Sequence, residues 1–144
     1  MSDNLSKAYR TRDEAAMGGF EKLKTSNASL ETDEFAFYVV RTFKNRQIAY
    51  QYTPPAKIGA NGGETGWRLA PGQTVQAYCH THPKRIQHDG FSPDDVGEYV
   101  EKVKIYPGMV WYLMTWNRQL RLAESKDEIS KGGRTINWLP WITP

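Results

Sequence analysis

Cysteine is nearly absent from this chain. Cys79 stands alone, so no internal disulfide can staple the fold. Long apolar runs are missing too: the best candidates, residues 35–40 and 109–114, are strand-sized and too short to cross a bilayer. The N-terminal stretch MSDNLSKAYRTRDEAAMGG lacks the apolar segment of a secretory signal. The expected location is therefore the cytoplasm, or delivery by a route other than classical export. A formal net charge of +3 comes without a dense Lys/Arg stripe, because basic and acidic residues are interspersed. Neither nucleic acid nor a membrane is then an expected partner. Internal repeats and low-complexity segments are absent. Histidine is scarce, with 3 in 144 residues.

What is present suits one domain with a real core, at 39% hydrophobic and 24% charged residues. Residues 1–10 are polar and read as a flexible lead-in to a domain over 11–144. Thr11 opens T-R-D-E, a capping box, and Ala16, Phe20 and Leu23 follow at helical spacing. A short amphipathic helix over roughly 12–24 is expected. Gly18 and Gly19 weaken it by about 1 kcal/mol each, so tertiary packing must hold it. Aromatic and β-branched residues over 35–43 predict a strand, turned at Lys44-Asn45-Arg46 into a second one near 47–53 and ended by Pro54 and Pro55. AKIGANGGETGWRLAPGQ reads as a long loop without regular structure. A strand over 74–79 leads straight into His80.

Ser92 has the character of a helix N-cap, with Pro93 at the first helical position. Val96, Tyr99, Val100 and Val103 then mark a buried helical face that Tyr106-Pro107-Gly108 ends. Residues 109–116 and 119–123 predict a hairpin around Asn117-Arg118, and the apolar NWLPWITP is expected to dock as a strand or extended segment. Helix, strands, helix, strands in that order imply an α+β (mixed α/β) domain: one central, mostly antiparallel sheet with flanking helices.

All three histidines fall in YCHTHPKRIQHDGFSPDD. At a strand end, His80 and His82 point to the same side. Asp95 stands in the first turn of the next helix, where a carboxylate also suits the helix dipole. Two imidazoles and one carboxylate form a common zinc set that leaves a position for water. H-x-H alone occurs by chance, and S-P-D-D alone is usually just a helix start; their succession, with all the histidine nearby, is much less ordinary. His88, in a loop, is expected to be exposed or to touch substrate. A zinc hydrolase also needs a general base from elsewhere. Glu34, opening the first strand, and Glu64, in the glycine-rich loop, are the two candidates. Trp111, Trp116, Trp138 and Trp141 read as core or interface, whereas Trp67 is a candidate substrate contact.

Glu34, then His80-Thr81-His82-Pro83, then Ser92-x-x-Asp95 resembles the signature of JAMM (JAB/MPN+) zinc metallopeptidases. The likeness extends, over residues 11–125, to bacterial JAB-like domains found at the C-terminal ends of polymorphic toxins and rearrangement-hotspot repeat proteins. TRDEAAMGGFEKL, DEFAFYVV, YQYTPP, CHTHP, FSPDD and WYLMTW echo that branch in order. The resemblance implies one Zn2+ ion held by His80, His82 and Asp95, Glu34 as general acid/base, and Ser92 assisting the oxyanion. It also implies hydrolysis of an amide or isopeptide bond in a protein or peptide, with a cognate inhibitor or immunity protein as a partner. Nine residues separate His82 from Ser92, more than in the usual pattern of the deubiquitinating members, which changes a wall of the cleft. The alternatives are a catalytically silent JAB-like protein-binding module and another metal hydrolase such as a phosphoesterase. A zinc deaminase is excluded by the lack of P-C-x-x-C.

Overall fold

A computed structural model describes residues 5–26, 28–58, 69–87 and 90–144. Helix α1, Arg12–Thr25, starts as T-R-D-E dictates: the Glu14 N–H donates to Thr11 Oγ1 at 3.1 Å, and the Thr11 N–H donates to Glu14 Oε1 at 3.1 Å. Its two central glycines are buried, with the Gly19 backbone lying against the Phe37 ring and Gly18 against Tyr9 and Tyr52. They mark where the helix presses closest to the sheet.

Strands β1, Glu34–Lys44, and β2, Gln47–Tyr52, form a hairpin. Asn45 and Arg46 at its tip have φ of 53° and 62°, the positive pair that a two-residue turn needs to match strand twist. The expected structureless loop after Pro55 starts instead with a short strand, β3, Ala56–Ile58, which pairs with the first three residues of β1. Its three residues carry no detectable periodicity; pairing with β1 makes it a strand. Strand β4, Gln73–Thr81, runs two residues past the expected end and so includes His80.

Helix α2, Pro93–Ile105, is capped at Ser92, and strands β5, Val110–Met114, and β6, Leu120–Ala123, meet at a tight turn where Arg118 has φ 67°. A short helix, α3, Lys126–Ser130, was not anticipated. Its signal is in the sequence: Ser125 Oγ accepts from the Glu128 N–H at 3.1 Å, the S-x-x-E cap. Strand β7, Arg134–Ile136, follows, and the apolar tail packs Trp138, Leu139 and Ile142 on the core without becoming a strand. Trp141 remains exposed. Residues 5–10, read as a loose lead-in, are paired with β2: Ser6 N donates to Tyr52 O at 3.0 Å, and Tyr9 and Tyr50 exchange backbone hydrogen bonds at 2.7 and 2.9 Å.

Among the described residues, seven strands form one mostly antiparallel sheet in the order β2-β1-β4-β5-β6-β7, with β3 beside β1. Side chains alternate between two apolar layers. Phe35, Phe37, Val39, Cys79, Tyr112 and Met114 face α1, while Ala36, Tyr38, Tyr78, Trp111 and Leu113 face α2. Only β4 and β5 run parallel, and α2 is the crossover between them. A chain leaving the end of β4 must return to the start of β5, so α2 begins beside the C-terminal end of β4. No helix among the described residues is long and apolar enough to cross a membrane.

The two glycine environments predict opposite outcomes for one substitution. At Gly97, on the exposed side of α2, an added methyl meets nothing within 4 Å; Gly97→Ala should stabilise by about 0.5–1 kcal/mol through helix propensity. Gly19→Ala should destabilise by about 1–3 kcal/mol, because the methyl collides with the buried Phe37 ring and overpacking outweighs propensity. Urea denaturation of both variants reads the sign directly.

Candidate metal centre

The period-2 geometry of β4 turns Tyr78 and His80 toward α2. His82 continues that alternation one step beyond the strand, its backbone N–H tied to Met114 O at 3.1 Å. Asp95 comes from the other direction, as the third residue of α2. Its carboxylate reaches back to cap its own helix, accepting the Ser92 N–H on Oδ2 at 2.8 Å. That bond fixes the side chain in the narrow space between helix start and strand end.

The three side chains converge. His80, His82 and Asp95 each present a ligand atom, and these atoms lie within 4.8 Å of one another. His80 Nε2 is 3.1 Å from Asp95 Oδ1, and His82 Nε2 is 3.3 Å from Oδ2. Their relative exposures are only 4%, 2% and 6%. Despite its distance, His80 Nε2 lacks the alignment of a hydrogen bond to any described group, as do the Nδ1 atoms of both rings. A buried nitrogen this close to a carboxylate, yet without an aligned hydrogen bond, leaves its lone pair available to a cation held among the three side chains. Burial pushes the Asp95 carboxyl upward, but His80 beside it, with His82 and the Ser92 N–H, outweighs this and holds it far below the usual carboxylate range. It therefore remains an anionic donor. A donor set of two imidazole nitrogens and one carboxylate oxygen fits zinc chemistry.

Glu34 is half-buried at the start of β1. The β1–β4 register sets Ala36 opposite His80, and Glu34 is two residues earlier, hence on the same face of the sheet. It is not one of the three clustered ligands. Its charge is felt nearby: burial first, then Glu98, Tyr38, Asp95 and Glu34 push the Tyr78 hydroxyl well above its ordinary pKa. Ser92, half-buried, lines a groove of about 630 Å³ whose other walls include Phe91, Pro93, Val96, Lys131 and Gly132. Gly90 and Phe91, at the end of the longer linker, line this groove, with the Phe91 N–H donating to Gly132 O at 3.1 Å. His88, Trp67 and Glu64 lie outside the described residues.

One part of the centre escaped sequence reasoning, the aromatic side chains around His80. Tyr78 stacks on its ring at 5.5 Å and 25°, and Trp111 meets it edge-on at 5.5 Å and 77°. Phe91 closes the third side at 5.9 Å. Tyr78 alone had a readable signal, being two residues before His80 on one strand. Comparisons with protein-family models, with curated proteins and with solved structures found no match to this chain.

The geometry predicts one zinc per chain by metal analysis after equilibrium dialysis. Free zinc at 100 times its dissociation constant should stabilise the protein by about 2.7 kcal/mol, an effect a chelator reverses. His80→Ala and Asp95→Asn should each abolish this zinc-dependent shift in Tm. An unchanged shift in either variant would show that the ion sits elsewhere.

Proposed function

We propose that this protein is a zinc-dependent hydrolase of amide bonds in a protein or peptide, working in the manner of the JAMM metallopeptidases that its motifs resemble. The observation that carries this reading is the buried convergence of His80, His82 and Asp95, drawn from a strand end and the following helix start. One three-ligand cluster among the described residues favours a single-ion site over the two-ion clusters of many phosphoesterases.

His80, His82 and Asp95 would hold the zinc ion, which would supply Lewis acidity and make the attacking water acidic enough to lose its proton near neutral pH. Glu34 takes the proton released as the water oxygen bonds to the substrate carbonyl carbon. It then delivers that proton to the departing nitrogen as the C–N bond breaks. Its half-buried position suits this shuttle, leaving the carboxylate reachable while keeping it on the His80 side of the sheet. The Ser92 hydroxyl donates to the oxygen on which negative charge develops. The groove beside Ser92 receives the chain flanking the scissile bond. If the domain acts as a toxin effector, a cognate inhibitor protein would be expected to cover this same groove.

Glu34→Gln should keep zinc at full occupancy and lower turnover by about 10²- to 10⁴-fold. Ser92→Ala should lose about 10²-fold with zinc retained. The assay is mass-spectrometric mapping of new peptide termini in a proteome incubated with the parent and with each variant. Equal sets of new termini from the parent and Glu34→Gln would refute the catalytic reading, and loss of zinc from Glu34→Gln would make that residue a ligand instead.

A further inference from the structure

Metal-binding histidines generally donate their second ring N–H to a carboxylate, a carbonyl or a water, which fixes the tautomer and the ring plane. His80 departs from that pattern. Its Nδ1 is buried and has no hydrogen-bond partner among the described residues. Rotation about the Cβ–ring bond is intrinsically broad, so a contact other than a hydrogen bond at Nδ1 must set the ring plane that keeps Nε2 beside Asp95. The surroundings of the ring are aromatic on three sides, and of these only Tyr78 lies close to parallel, at 25°.

Tyr78 is itself fixed. Its ring packs on Trp111 at 4.7 Å and on Tyr38 at 5.4 Å. The Lys102 ammonium sits 4.5 Å from its centroid and is held there by donating to the Tyr38 hydroxyl at 3.1 Å. A ring clamped in this way offers His80 a rigid face.

We propose that Tyr78 is the positioning residue of the centre, orienting the His80 imidazole by stacking where other metal sites use a hydrogen bond. The inference rests on the metal-site reading above and adds a cause for its geometry. An imidazole that donates its lone pair to a cation becomes electron-poor, and the electron-rich face of a tyrosine attracts it more strongly in that state. Tyr78 therefore favours the loaded centre over the empty one, beyond its part in the core.

The test measures zinc affinity by competition with a chromophoric chelator, and the visible spectrum of the cobalt-substituted full-length chain. Tyr78→Phe retains the ring and should bind within about twofold of the parent. Tyr78→Leu should weaken zinc binding by about 10- to 100-fold and alter the cobalt bands as His80 loses its fixed angle. Tyr99→Leu is the control, because Tyr99 packs on Trp111 at 5.7 Å within the same layer yet does not contact His80. It should lower Tm and leave affinity unchanged. Should Tyr78→Leu not fold, Lys102→Met, at a half-buried position that clamps Tyr78, should still weaken binding about two- to fivefold. Parental affinity in Tyr78→Leu or in Lys102→Met, or an equal loss in Tyr99→Leu, overturns the positioning role while leaving the metal site standing. A parent protein that binds neither ion overturns both.

Discussion

Strands β4 and β5 lie side by side and run the same way, in a sheet where every other pairing is antiparallel. Antiparallel neighbours can be joined by two residues, but parallel ones need a crossover, and here the crossover is α2. The chain must leave β4 at its C-terminal end and begin its return from there. The start of α2 is thus held against the end of β4, and with it a first-turn carboxylate against two strand-end imidazoles. The order of pairing in the sheet makes Asp95 a neighbour of His80 and His82, although 12 positions separate it from His82.

Such a cluster is a burden on the fold. A buried carboxylate is costly unless charge or hydrogen bonds compensate it. Asp95 has its helix-start N–H and two imidazoles beside it, yet the Nδ1 atoms of both rings are buried without a hydrogen-bond partner among the described residues. The rest of the domain offsets this by packing. Each face of the sheet carries a continuous apolar layer, and Trp111, Tyr112, Phe20 and Phe37 are almost completely inaccessible. The α1 side, pressed close at Gly19, contributes none of the three clustered side chains among the described residues. The α2 side combines core and site in the same side chains, since Tyr78, Phe91 and Trp111 both fill the layer and surround His80.

Much of the fold was legible along the chain because local chemistry dictates it. T-R-D-E forms the cap it spells, Ser92-Pro93 starts a helix, and the alternation of apolar residues marks β1, β4 and β5. The expected elements that failed did so for want of local signal. β3 is three residues long, and only the free edge of β1 organises it. Residues 5–10 are polar, and β2 gives them partners. α3 differs, because its Ser125–Glu128 cap is a local signal that the sequence does carry. In the centre, the candidates His80, His82 and Asp95 were legible from residue type and spacing, whereas the ring planes about His80 were not.

By itself, the sequence determined which atoms could serve as ligands, the face that His80 shares with its strand neighbours, and the position of Asp95 in a first helical turn. These follow from fixed periods of two and 3.6 residues, which need no knowledge of the rest of the chain. Only the tertiary structure decided that the three meet within 4.8 Å, that Glu34 shares their side of the sheet, and that aromatic rings surround a His80 whose Nδ1 has no hydrogen-bond partner among the described residues. Distances between elements depend on strand order, register and the route of the crossover, and no local pattern encodes those.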